Sequence, residues 1–249
     1  MNEVSSIPTA GSQDAPSELV ARLAQAGRAA QTTLAQMPSD GRADALRCAA
    51  KHLRESVSEI LSANAQDVAK GIANGLSKAM IDRLTLDEPR LESVAAGVEA
   101  VANLPDPVGE TIDETAPPNG LKLARVRVPI GLIGIIYESR PNVTADTAAL
   151  CVRSGNAVLL RGGSEAVHSN RAVHKAMVAG LVEGGVPEAA AQLVPTQDRV
   201  AVGAMLTASG LIDMIIPRGG RSLVERVQAD ARVPVLAHLD GICHTYVHS

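Results

Sequence analysis

Short apolar runs alternate with helical stretches in the second half of the sequence, and this alternation constrains the fold more than any other feature. The runs have the length of strands and cover residues 132–137, 157–160, 192–194, 212–216 and 235–237. Strands separated by helices pair in parallel, because each crossover must pass over the sheet. The sequence therefore predicts a parallel α/β sheet, whose ligands bind beyond the carboxyl ends of the strands.

Residues 17–104 show a different, helical pattern. Apolar residues recur at spacings of three and four over residues 46–61, behind a predicted cap at Ser39, and they indicate one amphipathic helix. Two further helices are predicted after Ser77 and Asp87, whose side chains can accept hydrogen bonds from a first helical turn.

Prolines and an Asn-Gly pair are concentrated in residues 105–120, and turn formers of this kind end helices. We therefore predict four segments: a disordered tail over residues 1–16, a helical part over residues 17–104, a turn-rich connection with a strand over residues 105–124, and a nucleotide-binding α/β domain over residues 125–249. The tail lacks the basic start and apolar stretch of a signal peptide.

The composition argues against nucleic-acid and membrane partners. There is no Phe or Trp and only two Tyr, so the core must be aliphatic and bases would find few aromatic side chains to stack on. The net charge of -4 gives no basic surface for a polyanion. The longest apolar run, residues 128–137, is too short to cross a bilayer.

The three cysteines, Cys48, Cys151 and Cys243, are widely spaced and form no CxxC pair. This usage is typical of reduced thiols in a cytoplasmic protein, and neither the cysteines nor the histidines have the spacing of a metal site. Cys243 and His244 are sequence neighbours, which would point to opposite faces of a strand and could not form a thiolate–imidazole pair. We therefore predict buried, structural thiols at Cys151 and Cys243.

The second predicted strand ends in Arg161-Gly162-Gly163-Ser164. Doubly wound sheets meet the adenosine ribose of a nucleotide at this point, where NAD-specific proteins usually carry an acidic residue. An arginine suits a 2′-phosphate instead, with Ser164 and the backbone amides as further donors, and this favours NADP. A surface turn with an incidental arginine explains this segment equally well.

A second turn, Pro217-Arg218-Gly219-Gly220, also follows an apolar strand and precedes a helix. Its glycines would let the backbone approach a ligand, and the helix start attracts anions. A tight strand–helix connection would need the same two glycines. Two such turns in equivalent places argue against coincidence, although a Gly-Gly pair has little specificity.

The first predicted strand ends close to Glu138, Arg140 and Asn142. Asn142 could donate to a developing oxyanion, and Arg140, with Glu138 beside it, could contact an anionic substrate. The alternatives are that Asn142 caps the following helix and that Arg140 forms a salt bridge with Glu138 or Asp146. The residues alone favour the cap.

These segments closely resemble the γ-glutamyl phosphate reductases of the aldehyde dehydrogenase superfamily. The resemblance is carried by residues 128–144, 154–165, 216–220 and 243–247, and in the helical part by residues 64–68 and 75–77. It implies the aldehyde dehydrogenase fold, with N-terminal helices followed by a parallel Rossmann-type sheet and its flanking helices. It also implies that NADPH reduces L-glutamyl 5-phosphate to L-glutamate 5-semialdehyde and phosphate, a step of proline biosynthesis.

The resemblance further implies roles for single residues. Asn142 corresponds to the oxyanion-hole amide, Arg161, Gly162, Gly163 and Ser164 to the contact with the adenosine phosphate, and Pro217, Arg218, Gly219 and Gly220 to the turn that faces the cofactor. A cytoplasmic homo-oligomer is expected, with glutamate 5-kinase, which makes the acyl phosphate, as an expected partner.

The mechanism implied by the resemblance needs a cysteine thiolate that attacks the acyl phosphate. In the family this cysteine belongs to a Cys-Asn-Thr segment that follows the stretch matched by residues 243–247, and this sequence stops at Ser249. We therefore expect a fragment of a longer protein, with a strand beginning at residues 245–247, the later part of the fold missing and no turnover. The alternative is a non-catalytic NADP-binding module.

Overall fold

The computed structural model describes residues 15–237 and 243–247. Five helices come first: α1 (Pro16–Gln36), α2 (Ser39–Glu55), α3 (Val57–Ala73), α4 (Lys78–Leu84) and α5 (Glu88–Ala102). Most of the tail expected over residues 1–16 lies outside the described residues. Where the chain is described, no helix has both the length and the apolar character needed to cross a membrane.

The helix caps were predicted with mixed success. Ser77 accepts a hydrogen bond from the backbone of Met80, and Asp87 accepts one from the backbone of Arg90, so both predicted caps are confirmed. The cap at Ser39 is wrong by one residue, because α2 already begins at Ser39 and its side chain makes no capping bond. The single helix predicted over residues 46–61 is also wrong, since the chain turns at Ser56 between α2 and α3.

A two-stranded antiparallel hairpin follows the helices. It consists of β1 (Thr111–Thr115) and β2 (Leu123–Val126), and every residue of both strands is exposed. The sequence pattern did not distinguish such a hairpin from a single strand, because neither strand alternates between apolar and polar residues.

The second half forms the predicted parallel sheet. Its strands are β3 (Leu132–Tyr137), β4 (Ala157–Arg161), β5 (Ala191–Leu193) and β6 (Met214–Arg218), in the order β5-β4-β3-β6. The connecting and following helices are α6 (Asn142–Arg153), α7 (Val167–Glu183), α8 (Arg199–Thr207) and α9 (Arg221–Asp230). All three strand pairs are parallel, which confirms the predicted α/β class.

Three of the five predicted strands lie within one residue of the observed bounds, and the other two differ more from the structure. The run 212–216 becomes a strand only from Met214, because Ile212 and Asp213 belong to the preceding turn and Asp213 accepts a hydrogen bond from the backbone of Leu132. The run 235–237 forms an isolated bridge between Val235 and Ile215 instead of a strand.

Aliphatic side chains fill both faces of the sheet. Ile133 and Ile135 of β3 pack with α2 and α7 on one face, and Leu132 and Ile136 pack with α1 and α8 on the other. Burial on both faces explains why the strands appear in the sequence as continuous apolar runs.

The strand order positions the ligand edge. The chain moves outward from β3 to β4 and β5 and then returns to pair β6 with the other side of β3. Ligands of open α/β sheets bind at the carboxyl edge where the order reverses in this way. In this sheet that edge carries the turns after β3, β4 and β6.

Candidate functional site

The sheet brings the three predicted turns together. Arg161, at the end of β4, pairs in register with Ile136, and Arg218, at the end of β6, pairs with Tyr137. The turn after β3 therefore lies between the two arginine-bearing turns. We call the carboxyl ends of β3, β4 and β6, with residues 138–142, 161–164 and 217–220, the nucleotide rim.

Arg161 is buried, with 7% of its surface exposed. Its Nη1 donates to the carbonyl oxygen of Gly162 and its Nη2 to that of Gln197, the latter over 3.0 Å. Burial lowers the pKa of Arg161 from its usual value, although Glu165 opposes the shift. The alternative of a surface turn with an incidental arginine is therefore wrong.

Three buried polar atoms near Arg161 have no hydrogen-bond partner among the described residues. They are Arg161 Nε, Glu165 Oε2 and Gln197 Oε1. Buried polar groups are nearly always satisfied in native proteins, so unsatisfied ones call for an explanation such as a ligand. A donor and two acceptors in one place match the hydroxyl and phosphate groups of a nucleotide ribose.

Close packing requires the two glycines of this turn. A Cβ at Gly162 would lie 2.2 Å from Asn170 Nδ2, and one at Gly163 would lie 2.3 Å from Glu165 Oε2. Ser164 begins a short 3-10 helix and is exposed. The sequence alone explains such glycines by a ligand that approaches the backbone. In the structure, the atoms closest to these glycines belong to side chains of the protein itself.

Gly219 and Gly220 lie at the start of α9, with Gly220 in the cap position. The backbone N–H of Gly220 donates to Glu138 Oε2 over 2.9 Å. A Cβ at Gly219 would lie 2.6 Å from the carboxyl carbon of Glu138, so a side chain at this position would displace that carboxylate. The helix start thus already holds an anionic group, as its unpaired N–H groups and positive dipole end favour.

Asn142 is the first residue of α6, but it does not cap the helix. Its Nδ2 donates to Asp146 Oδ2 over 2.8 Å, one turn further along the same helix. The cap favoured by the residues alone is therefore wrong, because the side chain points along the helix and acts as a donor. Asn142, Asp146 and Arg140 line a cavity of about 440 Å³.

Arg140 is exposed and, among the described residues, makes no ion pair with Glu138 or Asp146. The predicted salt bridge is wrong. Arg140 also lines a second cavity of about 450 Å³ together with Glu138 and the residues of the β6–α9 turn. Ser139 beside it has a φ of 41°, a left-handed conformation that is uncommon for a residue other than glycine.

A series of buried side-chain hydrogen bonds lies beside the rim. Tyr137 and Thr144 share a hydrogen bond of 2.7 Å between their hydroxyl oxygens, and the Thr144 hydroxyl lies 3.2 Å from Asn170 Oδ1. Burial raises the pKa of Tyr137 to about 12, so the hydroxyl stays protonated. The series ties β3, α6 and α7 together directly beneath Gly162.

The cysteine predictions are half correct. Cys151 is buried in α6, and burial raises the pKa of its thiol to about 12, as expected for an unreactive structural thiol. Cys243 is exposed, so its predicted burial is wrong. No strand forms over residues 243–247, and Tyr246 is 86% exposed.

Sequence reasoning missed two residues that hydrogen-bond to residues of the rim. Gln197 follows the carboxyl end of β5, the position that should have drawn attention to it. Asp146 was considered only as an ion-pair partner of Arg140, although its spacing of four residues from Asn142 places both on one helical face.

Comparison with known proteins places the chain in a family. The model of the aldehyde dehydrogenase family matches residues 1–249. The chain belongs to the aldehyde dehydrogenase family. Membership in the aldehyde dehydrogenase family implies a nicotinamide cofactor, which suits the donors and acceptors of the nucleotide rim.

The resemblance to γ-glutamyl phosphate reductases is also confirmed. The reductase of Novosphingobium aromaticivorans is 69% identical over 236 residues, which cover 95% of this chain and 56% of that protein. The one of Rhizorhabdus wittichii is 63% identical over 240 residues, which cover 96% and 56%. The crystal structure of the Thermotoga maritima reductase matches with a TM-score of 0.85 and 41% identity. The match covers 87% of this chain and 52% of that one. This aldehyde dehydrogenase family chain thus spans about half the length of the relatives that it matches.

Proposed function

We propose that the protein catalyses the NADPH-dependent reduction of L-glutamyl 5-phosphate to L-glutamate 5-semialdehyde and phosphate, and that this chain contributes the nucleotide rim and the oxyanion donor. The observation that carries the proposal is the convergence of Arg161, Arg218 and Asn142 at one sheet edge. The names of relatives at up to 69% identity support the choice of substrate.

NADPH is proposed as the cofactor because of the charge around Arg161. A buried guanidinium with an unpaired Nε has a donor left for a phosphate oxygen, and Arg199 lies close enough to depress the pKa of Arg161 further. The two arginines suit the doubly charged 2′-phosphate of NADPH better than the neutral hydroxyl of NADH, and the nearby acids Glu165 and Asp198 offset part of their charge.

The reaction needs a thiolate to displace phosphate from the acyl carbon, after which bound NADPH supplies the hydride. Asn142 would donate from Nδ2 to the carbonyl oxygen as negative charge develops there, and Arg140 would attract the anionic substrate. We assign no nucleophilic role to Cys151, because its thiol remains protonated at neutral pH. The described residues therefore bind cofactor and stabilise charge, and we propose that they do not turn substrate over alone.

The wider setting is proposed on chemical grounds. Acyl phosphates are unstable, so glutamate 5-kinase, which makes this one, is proposed as a partner in the cytoplasm. The exposed hairpin carries Ile112, Leu123 and Val126 on its surface, which supports association between copies of the protein.

The test is the reverse reaction, the phosphate-dependent oxidation of glutamate semialdehyde, measured as NADPH formation by the gene product as the organism makes it. We expect turnover that requires inorganic phosphate and falls about 100-fold in Asn142→Ala, as for the loss of one oxyanion donor. Turnover without phosphate, or an unaffected Asn142→Ala variant, would refute the proposal. Asn103→Ala, on the helical part, is the matched control.

A further inference from the structure

The hydrogen bond with Asn142 distinguishes Asp146 from the other acids of the site, because no other described group donates a hydrogen bond to its carboxylate. Asp82 is paired with Arg90 over 2.7 Å, and Glu138 is occupied by the backbone of Gly220. Within the described residues, the Asp146 side chain makes one hydrogen bond, to Asn142 Nδ2, and no ion pair.

Asp146 lies in the wall of the site. It is half-buried and lines both the 440 Å³ cavity beside Asn142 and a larger one of about 720 Å³ that extends along α6 to Cys151. Burial raises the pKa of its carboxyl, while the hydrogen bond from Asn142 and the charge of Arg218 oppose that shift. The bond is therefore partly shielded from water, where a charged acceptor binds most strongly.

A carboxamide can present two different faces to a substrate. Its Nδ2 carries two protons, and its Oδ1 is an acceptor that would repel a developing oxyanion. An ionised carboxylate accepts hydrogen bonds and cannot donate them, so Asp146 favours the rotamer of Asn142 in which Nδ2 faces it. One Nδ2 proton is then engaged by Asp146, and the other remains available to a group bound in the cavity that Asn142 lines.

We propose that Asp146 is a positioning residue, which fixes the carboxamide of Asn142 so that its second Nδ2 proton meets the carbonyl oxygen of the substrate. The inference rests on the proposed function, since it assigns a purpose to the donor that the reaction requires. It differs from a role in which Asp146 itself binds a cationic group of the substrate, because that role would leave Asn142 unaffected by loss of the carboxylate.

The first arm of the test uses this chain and needs no turnover. The side-chain amide resonances of asparagine are recorded by ¹⁵N NMR, and the Asn142 pair is identified by its loss in Asn142→Ala. In Asp146→Leu we expect the difference in chemical shift between the two Nδ2 protons of Asn142 to move to the value of a free asparagine carboxamide, whereas Asp146→Asn, which retains an acceptor oxygen, should shift it only part of the way. Asp113→Leu removes a carboxylate from the exposed hairpin and should leave the Asn142 pair unchanged.

The second arm measures the phosphate-dependent oxidation of glutamate semialdehyde by the gene product as the organism makes it. Asp146→Leu should lower kcat about tenfold or more and change KM by less than about twofold, because only the transition-state interaction is lost. Asn142→Ala combined with Asp146→Leu should be no slower than Asn142→Ala alone.

Three results would overturn the inference: an unchanged Asn142 pair in Asp146→Leu, a raised KM at constant kcat, or additive losses in the double variant. A wild-type protein without turnover would instead contradict the proposed function, while the amide resonances would still decide whether Asp146 holds Asn142.

Discussion

Gly180 in α7 tests how tightly the helical part is joined to the sheet. A Cβ at this position would lie 2.4 Å from Ala49 Cα and 2.5 Å from Ala49 N, whereas ordinary contacts begin at 3.4 Å. The obstructing atoms belong to the backbone of α2, so no side-chain rotation relieves the clash. We therefore expect α2 and α7 to be forced apart by up to about 1 Å in Gly180→Ala, a gap that costs each affected contact a quarter to a half of its dispersion energy.

Two effects of Gly180→Ala oppose each other. Alanine favours a helix over glycine by about 1 kcal/mol, while overpacking a core costs about 1–3 kcal/mol and occasionally more. Because the clash is with backbone, the upper part of that range applies and the free energy of unfolding should fall by about 2 kcal/mol. With a urea m-value of about 2–3 kcal/mol per molar, the midpoint should fall by slightly less than about 1 M.

The chain supplies a matched control at Gly97, which lies in the middle of α5 and has no atom within 4 Å of a built Cβ. Gly97→Ala should raise the free energy of unfolding by about 0.5–1 kcal/mol, since only the helix propensity changes. Urea unfolding followed by circular dichroism measures both variants. A Gly180→Ala protein as stable as the wild type would refute the close approach of α2 and α7, and a destabilised Gly97→Ala protein would refute the open space beside Gly97.

Three further predictions address other contacts. Asp67 accepts hydrogen bonds from the backbone and the hydroxyl of Ser169 over 2.7 Å each. The substitution Asp67→Ala should lower the free energy of unfolding, measured with urea, by about 3 kcal/mol, because two bonds to a charged group are lost. A loss below about 1 kcal/mol would contradict the burial of Asp67. Glu138→Gln should bind inorganic pyrophosphate more tightly by calorimetry, since the charge at the start of α9 is removed; equal or weaker binding would show that the carboxylate does not compete with phosphates. Cys243 should react with a thiol reagent within the native protein and Cys151 only after unfolding, and equal native rates would refute the burial of Cys151.

The sheet could be predicted from the sequence because burial on both faces leaves an uninterrupted apolar run. β3 was placed at its observed bounds for this reason. The predicted strand 212–216 begins and ends two residues before β6, since Ile212 is buried in a turn and hydrophobicity does not distinguish a buried turn from a strand. The break between α2 and α3 at Ser56 could not be predicted, because the helical spacing of apolar residues continues across it.

The candidate site could be located from the sequence, but its contacts could not. The carboxyl ends of parallel strands meet at one edge whatever their side chains do, and this placed Arg161 and Arg218 correctly. The burial of Arg161 depends on Gln197, which is 36 residues away. The helix cap favoured by the residues alone would make Asn142 an acceptor, whereas its Nδ2 donates to Asp146, and the choice between the two is set by the rotamer.

Cofactor binding at the nucleotide rim tests the central claim most directly. NADPH and NADH are titrated by calorimetry against the wild-type chain, Arg161→Gln and the control Arg125→Gln, which removes a charge from the hairpin. Glutamine is preferred to glutamate at position 161 because a second acid would be buried beside Glu165. We predict tighter binding of NADPH than of NADH, and a loss of about 10- to 100-fold for NADPH alone in Arg161→Gln, as for a hydrogen bond to a charged group. Equal wild-type affinities, or equal losses for both cofactors, would contradict the account.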